Sequence, residues 1–252
     1  MPHIYAITGK GGVGKTTIAG LLVSALIQKE KTPVLAVDAD PNSCLDKVLG
    51  VNVIKSIGRI REEARDESAK GLSSGISKQQ LIELKISESL VEAENFDLIA
   101  MGRPEGPGCY CYANNVLKTA MSQITVHYPY VVLDNEAGLE NLSRRLVQSV
   151  DVLIIVTDPS AAGMETVRRL HELAKEMDIS YNALAIIVNR LRRDALPETA
   201  QALKNSVGAN MLLGIPDDSE LAEYAENGRN IMGLSEGNPA RRKIDQFLEL
   251  IS

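Results

Sequence analysis

"GKGGVGKT", residues 9–16, follows the short β-prone run "HIYAIT" (3–8) and opens "TTIAGLLVSALIQKE" (16–30), whose apolar residues recur at helical spacing. Strand, glycine-rich turn and helix, in that order, are the context in which G-x-x-x-x-G-K-[ST] binds phosphate. The glycines allow backbone N–H groups to wrap phosphate oxygens, and the helix N-terminus adds partial positive charge. Lys15 is expected to reach the terminal phosphates and Thr16 to offer its hydroxyl to Mg2+. The expected nucleotide-binding set is Gly9, Lys10, Gly11, Gly12, Val13, Gly14, Lys15, Thr16 and Thr17.

Further runs repeat the design of the first. "TPVLAVDAD" (32–40), "FDLIAMG" (96–102), "YVVLDNEAG" (130–138), "VDVLIIVTDP" (150–159), "NALAIIVNR" (182–190) and "MLLGIPDD" (211–218) are apolar strands with polar residues at their C-terminal ends. They alternate with helical stretches such as "METVRRLHELAKEMD" (164–178) and a closing amphipathic "ARRKIDQFLELIS" (240–252). Strands apolar on both faces are strands buried on both faces, so the fold class is α/β: a single doubly wound, mostly parallel sheet flanked by helices. One domain is expected over 1–252, with an irregular helical excursion at about 52–95 broken by "GLSSG". In such sheets ligands bind beyond the carboxyl ends of the strands, where the polar residues collect.

Composition narrows the function classes. The 27 Lys+Arg and 33 Asp+Glu give a net charge of −6 with no long basic block, which argues against nucleic acid as a partner. No apolar run reaches the ~18 residues of a membrane span, and "MPHIYAITGKGG" lacks a charged n-region and cleavage signal. A cytoplasmic location is expected. With Cys44, Cys109 and Cys111 the only cysteines, a disulfide framework is excluded.

Carboxylates complete the expected site. Asp38 and Asp40 stand at the end of the second strand, and Asp134 ends the strand of "VVLDNEAG", as a magnesium-supporting aspartate does. Gly138 could present a backbone N–H to a γ-phosphate. The base is expected to be adenine: a guanine site would show N-K-x-D, whereas Asn189 is followed by Arg190 with no aspartate two residues on.

Lys10, second in the loop, gives "KGGVGKTT", which resembles the deviant Walker A motif of the MinD/ParA-like ATPases. The resemblance implies that Lys10 reaches across a homodimer to the nucleotide of the other subunit. It also implies catalytic roles for Lys10, Lys15 and Asp40, the last orienting or deprotonating the attacking water, and a supporting role for Asp38 in the loop and magnesium shell. Asn189 would contact adenine, and Pro216 and Asp217 in "GIPDD" would close its other side.

"GPGCYCYANN" (106–115) places Cys109 and Cys111 one residue apart. Two thiolates fill half of a four-coordinate shell, and a two-fold dimer would supply the other half. With "VDADPNSC" and "IIVNR" in order, the chain is similar to the CooC family of nickel-insertion ATPases and its relative AcsF. That likeness implies a nucleotide-bridged homodimer holding Ni2+ or Zn2+ through Cys109 and Cys111 in a segment at about 104–115. It implies as client a CO dehydrogenase or an acetyl-CoA synthase. An iron-sulfur carrier and a MinD/ParA-like positioning ATPase stand as the alternatives. Cys44 reads as a small buried hydrophobe, with a place in nucleotide sensing or a metal relay as the other reading.

Overall fold

The computed structural model of the 252-residue chain describes residues 2–42, 44–60, 84, 86–102, 118–119, 121–139, 149–193 and 195–251. They form an eight-stranded sheet: β1 (His3–Gly9), β2 (Val34–Asp38), β3 (Val91–Glu92), β4 (Phe96–Ala100), β5 (Tyr130–Asp134), β6 (Val150–Thr157), β7 (Tyr181–Leu191) and β8 (Met211–Pro216). Its order is β3-β4-β2-β5-β1-β6-β7-β8. Every pairing is parallel except β3 with β4. The seven parallel strands are the seven apolar runs expected from the sequence. Two-residue β3 was not expected; it is too short for a periodic signal and turns back antiparallel on β4 within the 52–95 stretch.

Alternation along the strands divides the core into two layers. Ile4, Ala6, Leu35, Val37, Leu153 and Ile155 pack on one face, under α3 (Ala161–Glu176) and α4 (Glu198–Val207). Tyr5, Ile7, Val34, Ala36, Val152 and Ile154 pack on the other, under α1 (Lys15–Gln28), α2 (Leu45–Leu49) and α6 (Pro239–Ile251). This is the doubly wound arrangement, and it explains why the strands read as continuous apolar runs instead of alternating ones.

α1 is apolar nearly all round because the sheet covers one side and α2 and α6 the other. Gly20 permits that closeness, since a Cβ there would run into the Val48 side chain of α2. α6 buries Ala240, Ile244, Phe247 and Leu248, so the closing helix spends its apolar stripe on the core. Asn238 caps it by accepting from the backbone N–H of Ala240 at 2.9 Å and Arg241 at 3.1 Å. Short α5 (Ser219–Glu226) is capped by Asp218, which accepts from Leu221 N at 2.7 Å. Among the described residues no helix is long and apolar enough to cross a membrane.

Candidate functional site

β1 lies between β5 and β6 while its chain continues through α1 to β2, two places away in the sheet. The crevice beyond its carboxyl end is therefore where such folds bind ligands, and the glycine loop occupies it. Gly12 (φ 80) and Gly14 (φ 94) hold left-handed backbone that a Cβ would strain, and Gly14 is the N-cap of α1. A Cβ on Gly9 would be driven into the Val156 carbonyl of the neighbouring strand. A Cβ on Gly14 would stand 2.5 Å from Asn189 Nδ2. Both glycines are thus required by close approach of backbone and side chain.

Register gathers the acids. β2 pairs Asp38 with Asp134 of β5, and Asp134 in turn lies beside Ile7 of β1, so two carboxylates stand on adjacent strands at the foot of the loop. Asp38 is wholly buried and accepts from the backbone N–H of Asp40 at 3.1 Å and Leu45 at 3.0 Å. Burial pushes its carboxyl up to about 6 against those hydrogen bonds. Asp134 is buried with neither oxygen engaged by a donor in hydrogen-bond geometry. Burial and the Asp38 charge push it up to about 7, while the Thr16 hydroxyl and the buried Lys15 ammonium pull the other way. A buried carboxylate with neither oxygen in hydrogen-bond geometry, beside the Thr16 hydroxyl and the Asp38 carboxylate, fits a divalent cation whose charge would offset the two buried acids.

Around this foot is a cavity of about 520 Å³ lined by Gly11, Gly12, Gly14, Lys15, Thr16, Asp40, Asn42, Glu136, Ala137 and Arg190. The expected residues Lys15, Thr16, Asp40 and the loop glycines are thus brought together, with Asp38 and Asp134 beneath them. Lys15 Nζ donates to the Lys10 carbonyl at 3.4 Å, and the Lys10 side chain is exposed. Asp40 accepts from the Asn42 backbone at 2.8 Å and side chain at 3.0 Å.

Asn189, at the end of β7, is 5% exposed and donates through Nδ2 to Val13 O at 2.9 Å, bracing the loop as well as standing beside it. Asp217 N donates to Leu191 O at 2.8 Å, which fixes the Pro216–Asp217 turn next to the end of β7. Gly138 donates its N–H to Gly9 O at 3.4 Å, so the group expected to face a γ-phosphate is occupied by the loop in this state.

Other contacts join the same two segments, and sequence reasoning passed over them. Thr8 donates its hydroxyl to Gly138 O. Asn135 donates to Ile7 O through its backbone N–H at 3.1 Å and through Nδ2 at 2.9 Å. Their signal was present: a threonine closing an otherwise apolar strand and an asparagine directly after Asp134 are polar residues in places that burial makes costly.

Two expectations stand apart. Cys109 and Cys111 lie outside the described residues, as does the whole 104–115 segment. Cys44 is exposed, which corrects its reading as a buried hydrophobe. It is the N-cap of α2, and the helix buries Leu45 and Leu49 in its place. Partial burial and the neighbouring carboxylates push the thiol pKa up.

Comparisons with known proteins agree with this geometry. The pattern described as the CobQ/CobB/MinD/ParA nucleotide binding domain matches residues 4–231. An uncharacterized ATP-binding protein of Methanocaldococcus jannaschii is 41% identical over 98% of this chain and 98% of its own. The carbon monoxide dehydrogenase accessory protein CooC of Rhodospirillum rubrum is 30% identical, over 90% of this chain and 92% of its own. Among solved structures, the septum site-determining protein MinD of Pyrococcus horikoshii, complexed with Mg-ADP, superposes with a TM-score of 0.70 at 20% identity, covering 99% of this chain and 95% of that one.

Proposed function

The chain belongs to the CobQ/CobB/MinD/ParA nucleotide-binding family and is an ATPase using ATP and Mg2+, and from that premise we propose that it is a nickel-insertion ATPase of CooC type. The observation that carries this reading is the Cys109-x-Cys111 pair in a chain whose phosphate loop has Lys10 in second position. The similarity to the CO dehydrogenase accessory protein supports it. In this reading residues 1–252 are one cytoplasmic P-loop domain that dimerises with ATP or metal. Cys109 and Cys111 of each protomer hold one Ni2+ or Zn2+ as cargo, and the client is a CO dehydrogenase or acetyl-CoA synthase.

Each site residue then has a task. Backbone N–H groups of Gly9–Thr17 wrap the phosphates, and Lys15 leaves the Lys10 carbonyl for the terminal phosphate. Thr16 and Asp134 would hold Mg2+, which would supply charge neutralisation to the phosphates. Asp38, fixed by Asp40 N and Leu45 N, keeps the loop beneath them in place. Asp40 orients a water and takes its proton as the water oxygen attacks phosphorus and the bond to the β-phosphate oxygen breaks, giving ADP and phosphate. Lys10 reaches the partner's nucleotide, stabilising the developing charge. Asn189, Pro216 and Asp217 enclose adenine. Gly138 moves its N–H from Gly9 O to the γ-phosphate, so loss of that phosphate frees the segment again.

Equilibrium dialysis of Ni2+ against the full chain, with ADP and with a non-hydrolysable ATP analogue, tests the reading. About one ion per dimer is expected in at least one nucleotide state, and none after Cys109→Ala with Cys111→Ala. Unchanged binding in the double variant refutes the metal site, and a brown protein on anaerobic purification redirects it to an iron-sulfur cluster.

A further inference from the structure

β7 and β8 pair in parallel, and their register slips between Val188 and Leu191. Inside that irregularity Arg190 adopts φ 59, left-handed backbone that glycine enters freely and that most side chains avoid because of their Cβ. An extra residue in a strand re-aims side chains, and such bulges recur beside active sites. Here the bulge turns Asn189 inward onto Val13 O and leaves Arg190 exposed at the rim of the loop cavity, with Gly11, Gly12, Lys15 and Thr16. The chain therefore accepts a strained arginine where a glycine would fit without strain. Glu30 and Asp178 hold the same conformation just after helix ends, whereas Arg190 holds it inside a strand at a ligand cavity, where such strain clusters.

The surroundings indicate what the guanidinium meets. Of the ten lining residues Ala137 alone carries an apolar side chain; the rest are glycines or bear hydroxyl, amide, carboxylate or cationic groups, so the walls suit phosphates and offer no platform for a base. Asp158, whose carboxyl is held low first by the Ser160 hydroxyl, is pulled further down by the charges of Lys10 and Arg190. None of the ion pairs among the described residues uses Arg190. Its planar fork matches phosphate oxygens better than an ammonium does.

We propose that Arg190 is a nucleotide-binding residue whose guanidinium contacts the phosphate chain of the bound nucleoside triphosphate. This rests on the glycine loop being the nucleotide site, and it is independent of the metal cargo.

Competition titrations of a fluorescent nucleotide by ATP and by inorganic triphosphate, on Arg190→Ala, Arg190→Gly and Lys15→Ala in the full chain, test it. Both Arg190 variants should weaken ATP and triphosphate alike, by about tenfold or more, as loss of a hydrogen bond to a charged group does. Arg190→Gly should melt at or above the wild-type temperature, because glycine relieves the left-handed position while the ligand contact is lost. Affinities within twofold of wild type in both variants overturn the inference. So does a loss for ATP with none for triphosphate, which would put the guanidinium on the base. Lys15→Ala separates the premise from the inference: undiminished binding there means that the loop is not the site, whereas loss there with intact Arg190 variants sinks the inference alone.

Discussion

Replacing Asp134 by asparagine should stabilise the metal-free protein while removing its magnesium-dependent activity. The carboxyl is buried, has neither oxygen in hydrogen-bond geometry and stands beside Asp38 across the strand pairing. It is pushed up to about 7 from an ordinary value of 3.8. That difference of about three units corresponds to ~4 kcal/mol against the ionised form above pH 7. An asparagine avoids that charge but buries an amide, which costs ~1–3 kcal/mol where its hydrogen bonds are incomplete. The net gain at pH 8 is then ~1–3 kcal/mol, or roughly 2 to 12 °C in melting temperature for a chain of this size.

The sign with pH is fixed by the direction of the shift. A carboxyl raised in the folded state binds more protons there than in the unfolded chain between pH 3.8 and about 7. Wild-type stability therefore falls as pH rises through that window, and the advantage of Asp134→Asn grows with it and levels off above. Differential scanning calorimetry in EDTA at pH 5, 6, 7 and 8 reads this directly, and repeating it with Mg-ATP should reverse the ranking, because only the wild type gains from the ion. A variant less stable than wild type at pH 8 in EDTA, or a gain that does not vary with pH, would refute the reasoning.

The backbone of the loop offers sharper tests of packing. Gly9→Ala forces a Cβ into the Val156 carbonyl and should destabilise by ~3 kcal/mol or more by urea denaturation. Gly14→Ala adds a Cβ 2.5 Å from Asn189 Nδ2 at φ 94, so it should break the bond to Val13 O, lower stability by ~2–3 kcal/mol and weaken ATP binding in calorimetric titration. Glu249→Ala removes the exposed pair with Lys29 at 2.9 Å and should leave the denaturation midpoint unchanged. In a chain carrying Cys109→Ala and Cys111→Ala, Cys44 should react with a disulfide reagent without denaturant, yet more slowly at pH 7.5 than free cysteine because its pKa is raised. Absence of reaction in the folded protein would contradict its exposure.

How much of this was legible in the sequence follows from the range of each interaction. The glycine loop, the seven parallel strands and helices α1, α3 and α6 are local signals: four fixed positions, apolar runs, a helical period. Asp38 and Asp134 were legible as strand-end acids. Their being neighbours was not, since that depends on β5 inserting between β1 and β2, a property of strand order alone. The bulge at Arg190 was hidden for the same reason, because a register slip between β7 and β8 exists only once both strands are paired. Cys44 was misread because whether a thiol just ahead of α2 points in or out is set by how that helix meets the sheet, which no local pattern encodes. Short α2, α4 and α5 were passed over, each offering three turns or fewer of pattern.

Strand pairing also suggests how a distant cysteine segment could respond to the nucleotide. β4 leaves the sheet at Met101, whose N–H donates to the Asp38 carbonyl at 2.8 Å and whose own carbonyl accepts from Gly58 at 2.8 Å. Gly102 follows at φ 62, packed so closely on Ser56 that a Cβ would collide with its hydroxyl. The sequence running on to Cys109 and Cys111 therefore starts one hydrogen bond from a residue at the foot of the phosphate loop. On its far side that sequence rejoins the fold ahead of β5, which ends in Asp134. Asp38 is thus bonded to the residue from which that sequence departs, and Asp134 ends the next strand after it. A ligand that shifts Asp38 therefore also acts on Met101, where that sequence begins. If Cys109 and Cys111 hold the metal as proposed, their affinity for it should depend on the bound nucleotide, and Asp134→Asn, which removes a charge at the nucleotide site, should reduce that dependence in the same dialysis.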